Sequence, residues 1–260
     1  MAHVDKHAPG DFCWMELATS DQNAAKHFYS SLFGWVPNDM PMGPDSFYTI
    51  FRLNGRDCAA GYTLTVQEQG VPPHWNLYIA VEDADAAQSK AASLGAKVEA
   101  PAFDVFDAGR MAVLQDPTGA YFIVWQAKRN AGIGIKDEPG TFCWADLSTG
   151  DPERAQKFYS GLFGWEISAG EKDPSGYLHI KNGDRFIGGI PPARVRNPNA
   201  PPHWLIYWYV ADVDASAAKA KELGATLYVP PMSVEGVGRM AIMADPQGAV
   251  SAIFKESAKG

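Results

Sequence analysis

A 27-residue segment, PGDFCWMELATSDQNAAKHFYSSLFGW from Pro9 to Trp35, recurs as PGTFCWADLSTGDPERAQKFYSGLFGW from Pro139 to Trp165, with 16 identical positions. Two copies of one unit must bury equivalent faces, so this repeat limits the possible folds more than any local pattern does. The correspondence continues with PPHW at Pro72–Trp75 and Pro201–Trp204, and GRMA at Gly109–Ala112 and Gly238–Ala241. Asp116-Pro117 likewise matches Asp245-Pro246. The chain therefore reads as two homologous halves, 10–130 and 139–256, joined near Arg129–Pro139. A fainter repeat lies inside each half. Asp21, Ala25 and Leu32 return as Asp83, Ala87 and Leu94, and Asp151 and Leu162 return as Asp212 and Leu223. Four modules follow.

Asp21 and Asp151 stand where a helix N-cap belongs, and Pro152 occupies a first-turn position that tolerates a missing donor. Ala25, Phe28, Tyr29 and Leu32 fall on one helical face, mirrored by Ala155, Phe158, Tyr159 and Leu162. Gly34 and Gly164 end these helices. Strand patterns follow at Phe47–Leu53, Cys58–Val66, Trp75–Val81, Met111–Gln115 and Tyr121–Gln126, with Asn54-Gly55 and Asn182-Gly183 as hairpin signals. One helix per four strands predicts an α+β fold, in which helices cover one face of a curved sheet and the other face lines a cleft.

With 22 basic and 30 acidic residues the net charge is -8, and the basic residues do not cluster. A polyanion binder needs a basic patch to displace counterions, so nucleic acid is not an expected partner. No stretch approaches a membrane span and the N-terminus lacks a leader pattern, which predicts a cytoplasmic protein with no membrane partner. Three cysteines without a CxxC pair fit a reducing compartment, and Cys13 and Cys143 at equivalent strand positions read as buried thiols. There is no GxGxxG, GxxxxGK[ST] or GxSxG motif.

The D…A..FY…FGW run, the acidic residues Glu82-Asp83 and Asp212 with Asp214, and the DPTG and DPQG turns resemble the vicinal-oxygen-chelate superfamily of glyoxalases, bleomycin-resistance proteins and extradiol dioxygenases. The W.(E/D)L.T.D opening, PPxW, GRM and DPxG narrow the resemblance to tandem actinobacterial proteins labelled glyoxalase or hydroxylase. It implies four βαβββ modules paired into two U-shaped mixed-sheet domains with helices on the outer face. It also implies a divalent ion held by His, Glu or Gln at four strand positions. Those positions fall here on Trp14, the Ala59-Ala60-Gly61 stretch, Asn76 and Ile123. In the second half they fall on Trp144, Ile187-Gly188-Gly189, Leu205 and Ala252. Indole and aliphatic groups are not metal ligands of this kind, so neither a metal nor another cofactor is expected at them. A relocated site using Glu16 and His74 is the alternative.

Strand alternation places Trp14, Glu16, His74, Asn76, Tyr78, Tyr121 and Trp125 on the cleft face of the first half. Trp144, Asp146, His203 and Tyr207 take that face in the second. An aromatic pocket with a few convergent polar groups suits a small molecule. Glu16 and His74 are the candidate acid–base pair, with Arg110, and Arg239 in the second half, as anchors for a ligand carboxylate or phosphate. The bland alternatives are tryptophans plugging a filled cleft, His74 and His203 satisfying loop carbonyls, and Arg110 and Arg239 fixed on Glu16 and Asp146. The expectation is a binding protein or metal-independent enzyme for a small carbonyl-bearing or aromatic metabolite, a monomer or weak homodimer. A metal-dependent enzyme with a relocated site and a non-catalytic scaffold are the competing readings.

Overall fold

The computed structural model describes residues 2–44, 46–68, 70–170 and 175–257. A short strand β1 (Ala2–His3) precedes β2 (Phe12–Thr19), α1 (Gln22–Phe33), β3 (Val36–Gly43), β4 (Ser46–Leu53) and β5 (Arg56–Thr63). The second module is β6 (His74–Ala80), α2 (Ala84–Ser93), β7 (Lys97–Val105), β8 (Gly109–Gln115) and β9 (Tyr121–Ala127). After β10 (Ile135–Lys136), the pattern repeats with β11 (Phe142–Ser148), α3 (Pro152–Phe163), β12 (Glu166–Ala169), β13 (Leu178–Asn182) and β14 (Arg185–Ile190). It closes with β15 (His203–Tyr209), α4 (Val213–Glu222), β16 (Thr226–Val234), β17 (Gly238–Ala244) and β18 (Val250–Glu256). The fold is α+β, as the repeat predicts.

Each half forms one eight-stranded mixed sheet, ordered β3-β4-β5-β2-β6-β9-β8-β7 and β12-β13-β14-β11-β15-β18-β17-β16. Within a module the first and last strands run parallel, as β2 does with β5 and β6 with β9. The two modules join through the antiparallel β2–β6 pair, which sets Glu16 opposite Asn76. The residues linking the halves are not bare loop, since β10 pairs with β1.

Asp21 and Asp151 cap their helices by accepting from Ala24 and Arg154 amides, and Gly34 and Gly164 end them at φ 76° and 73°. A left-handed residue there costs a glycine little and any other residue more. Each helix covers the sheet face opposite the cleft, so the helices are outer relative to their own sheet. In the whole chain those helical faces turn toward each other. Phe122 of β9 packs on Tyr159 of α3 at 5.5 Å, and Trp35 lies 5.1 Å from Trp208.

Two pairs of reciprocal hydrogen bonds cross this core. Tyr29 donates to Asp245 and Tyr159 to Asp116, both at 2.9 Å. Trp35 Nε1 donates to the Gly140 carbonyl at 2.7 Å and Trp165 Nε1 to the Gly10 carbonyl at 3.0 Å. The aromatic core therefore lies between the sheets, and the helix-free face of each sheet points away from the other. Among the described residues no helix is long and apolar enough to cross a membrane.

Candidate functional site

On the face of the first sheet away from its helices, Glu16 is 8% exposed. Its Oε1 accepts from Tyr48 Oη at 2.8 Å, while Oε2 accepts from Tyr78 Oη at 2.8 Å and from Asn76 Nδ2 at 3.5 Å. Trp14 Nε1 donates to Tyr48 Oη at 2.9 Å, so an indole orients the phenol that holds the carboxylate. Burial pushes the Glu16 carboxyl above its ordinary value, and the Tyr48, Tyr78 and Asn76 donors oppose that rise. Burial raises both phenols well above theirs, so they remain donors at neutral pH.

The second cleft repeats this arrangement one methylene shorter. Asp146 Oδ2 accepts from Tyr207 Oη at 2.8 Å, and Oδ1 accepts from Tyr177 Oη and from Trp144 Nε1 at 3.0 Å. Burial again raises the carboxyl above its usual value. The strand register makes Gly189 the counterpart of Ala60, since each lies opposite the buried acid. A Cβ on Gly189 would run into the Tyr177 phenol. The smaller residue lets this tyrosine lie low enough to meet the shorter acid, whereas alanine in the first half goes with a longer acid. Gly189→Ala should therefore displace Tyr177 and cost roughly 1–3 kcal/mol. Adding Asp146→Glu should recover part of that loss, a coupling measurable by urea unfolding in a double-mutant cycle. Strictly additive effects would refute the compensation.

The remaining predicted residues divide. Trp14, Tyr78, Ile123 and Trp125 are 3–6% exposed, while Tyr121 is 53% exposed. The Trp125 indole faces the Tyr78 ring edge at 6.1 Å and donates to the Asn130 carbonyl. His74 does not pair with Glu16. Its Nδ1 lies 2.9 Å from the Pro72 carbonyl, as His203 Nδ1 lies 2.8 Å from that of Pro201. The imidazole starts its strand two residues before Asn76, which takes the place opposite Glu16.

Arg110 and Arg239 leave the clefts. A Cβ on Gly109 would meet the Trp125 ring, so Gly109 faces the cleft and its neighbour Arg110 faces the helix. Arg110 grips Asp85 of α2 with two bonds of 2.7 and 3.0 Å, and Arg239 grips Asp214 of α4 in the same way. Neither anchors a ligand in a cleft, and neither is fixed on Glu16 or Asp146.

Sequence reasoning missed Tyr48, Tyr177 and His179. The two tyrosines stand 129 residues apart, the same offset as the PPHW copies, which was the available signal. His179 takes the register place of Ile50, since they lie opposite Gly189 and Ala60. Its ring packs edge-on to Tyr177 at 5.0 Å and it acts electrostatically on Asp146. Burial pushes the Cys13 and Cys58 thiols far up, so neither is an activated nucleophile.

The donor set does not fit the metal that the resemblance implies. At the inferred ligand positions Trp14 spends its only polar hydrogen on Tyr48, and Ala60 and Ile123 offer no donor atom. Among the described residues no three of His, Cys, Asp and Glu gather in a way that would hold an ion.

Glu16→Gln should alter stability in a pH-dependent way. Because the folded carboxyl has a raised pKa, the folded chain binds a proton that the unfolded chain releases. Stability falls as pH rises through that window, and the cost is complete above the folded pKa. Glutamine removes it, so the variant should gain most over the parent at neutral pH and lose that advantage toward the ordinary carboxyl range. Urea midpoints across pH read the difference. An offset that does not change with pH would contradict it.

Residues 11–124 match the model of the Glyoxalase/Bleomycin resistance protein/Dioxygenase superfamily, and residues 144–254 match that of a glyoxalase-like domain. The CFP32 protein of Mycobacterium tuberculosis, named as a glyoxylase, is 42% identical over 93% of each chain. The anthracycline biosynthesis protein DauV of Streptomyces sp. (strain C5) is 32% identical over 95% of this chain and 93% of its own. In fold, the chain is similar to the Mn(II)-bound glyoxalase from Novosphingobium aromaticivorans. That match has a TM-score of 0.65 and 17% identity, over 95% of this chain and 82% of the other. It is also similar to the 2,3-dioxygenase LapB from Pseudomonas sp. KL28, with a TM-score of 0.66 and 13% identity over 98% and 96%. On its two domain matches and its full-length relatives, this chain belongs to the glyoxalase/bleomycin resistance protein/dioxygenase superfamily.

Proposed function

We propose that the chain binds a small aromatic or carbonyl-bearing metabolite on the concave face of its first half, as a binding protein or metal-independent enzyme. The supporting observation is Glu16, a buried carboxylate held by two phenols at the floor of an aromatic face. Glu16 is then the group that accepts a hydrogen bond or proton from the ligand, with Trp14, Asn76, Tyr78, Tyr121 and Trp125 around it and His74 at the edge. A relative named for anthracycline biosynthesis favours aromatic test ligands.

The second half offers a ligand fewer polar groups, since Leu205 stands at the place of Asn76 and forms an apolar cluster with Tyr207 and Ala252. Helical faces that cover each other within one chain leave little need for a partner copy, which favours a monomer.

The test is quenching of tryptophan fluorescence by a panel of aromatic ligands. Affinity should be unchanged by chelator and should fall by roughly tenfold or more in Trp14→Ala. Asn76→Leu installs the residue that the second half carries at that place and should also weaken binding without loss of folding. Binding that requires an added divalent ion, or that survives both substitutions, would reject the proposal.

A further inference from the structure

We infer that the concave face of the first half selects ligands carrying a positive charge on an aromatic body and rejects carboxylates and phosphates. This rests on the reading of that face as a ligand site and adds the class of ligand. The argument is one of missing counter-charge. A desolvated carboxylate is costly unless a cation or several hydrogen bonds offset it. Glu16 has the hydrogen bonds but, among the described residues, no lysine or arginine partner.

Eight lysines and arginines lie between positions 26 and 129. Each is held elsewhere by a carboxylate or a carbonyl. Lys26 pairs with Asp39 beneath α1, Arg52 with Asp57 at the hairpin, and Arg110 with Asp85 on α2. Arg56, Lys97 and Lys128 hold Asp5, Glu99 and Asp104. Arg129 holds Asp107, and Lys90 the Leu162 carbonyl. None is left to neutralise Glu16. A basic group that does act on it is His74, which is tied to the Pro72 carbonyl.

The surroundings suit a cation as well. Trp14, Tyr48, Tyr78 and Trp125 surround the acid, and aromatic rings attract positive charge over their faces, most strongly when water is excluded. Oε1 of Glu16 has one protein donor, Tyr48, and so keeps acceptor capacity for an N–H of the ligand. An ammonium or aminium placed there would complete the site electrostatically, whereas an anion would meet Glu16 with no lysine or arginine among the described residues to offset the repulsion. The second half carries the same pattern, with three donors on Asp146 and His179 acting on it as His74 acts on Glu16.

Three tricyclic probes of similar size separate the effects of charge and shape: 9-aminoacridine as the cation, acridone as the neutral analogue and acridine-9-carboxylate as the anion. Titration of the full chain at neutral pH with chelator should rank them cation, neutral, anion, with about a tenfold gap or more between the first two. Glu16→Gln, its folding checked by circular dichroism, should bring 9-aminoacridine down to the affinity of acridone. Acridone binding as tightly as 9-aminoacridine, or a preference that persists in Glu16→Gln, overturns the charge selection and leaves ligand binding itself intact. Failure of all three probes to bind overturns both.

Discussion

Trp35→Ala is expected to lower the unfolding free energy by about 3–5 kcal/mol, the cost of deleting a buried aromatic side chain, and to weaken both halves together. Trp35 follows the glycine that ends α1 and is 2% exposed. Its ring stacks on Tyr29 at 5.3 Å and lies 5.1 Å from both Phe51 and Trp208, so it belongs to two domain cores. Its indole N–H satisfies the Gly140 carbonyl at 2.7 Å. Gly140 itself approaches the end of α1 so closely that a Cβ there would lie 2.9 Å from the Phe33 carbonyl. Alanine leaves a cavity on both sides and an unpaired carbonyl within it. Trp35→Phe keeps most of the packing and loses only the donor, which costs about 1–2 kcal/mol. Chemical denaturation followed by far- and near-ultraviolet circular dichroism should show one transition moved to lower denaturant. Two separated transitions, with the second half unmoved, would show that the halves do not depend on this contact.

The repeat made the module count and the pairing of modules legible, because α1 and α3 and their caps are copied nearly residue for residue. Alternation placed Trp14, Glu16, Asn76 and Tyr78 on one face because β2 and β6 run regularly past each other from Trp14 onward. The same alternation puts Gly109 and Arg110 on opposite faces of β8. The glycine, not the arginine, lies beneath Trp125.

Tyr48 was hidden for another reason. Its reach to Glu16 crosses β5 and depends on how the Asn54-Gly55 hairpin sets the register, with a shift between Phe51 and Arg52. The sequence indicates a turn there but not which residue of β4 ends beside the acid. Least legible were the FY and DPxG motifs. Each was readable as a helix face or a turn, yet Tyr29 meets Asp245 across 216 positions. No local pattern says that one copy's tyrosine answers the other copy's aspartate.

That crossing bond leads to a second large expected effect. Asp116→Ala should cost about 3–5 kcal/mol, the range for removing one member of a buried charged network. The Asp116 carboxylate is 4% exposed. Its Oδ1 accepts from the amides of Thr118, Gly119 and Ala120 at 2.7–3.1 Å, and its Oδ2 accepts from Tyr159 of the other half. Alanine strands the Thr118 and Ala120 amides and the Tyr159 hydroxyl at once, while the Gly119 amide keeps the Asp116 carbonyl. Tyr159→Phe removes only the crossing bond and leaves the turn intact. The Trp204 N–H that also reaches this hydroxyl loses its acceptor, so about 1–2 kcal/mol is expected. The ratio between the two variants therefore divides the stabilisation between the local turn and the join between halves. Asp245, which accepts from the Gln247, Gly248 and Ala249 amides and from Tyr29, should give the same ratio when paired with Tyr29→Phe. If either phenylalanine variant costs as much as its alanine partner, the carboxylate acts chiefly as a clamp between halves. The turn would then hold its shape without it.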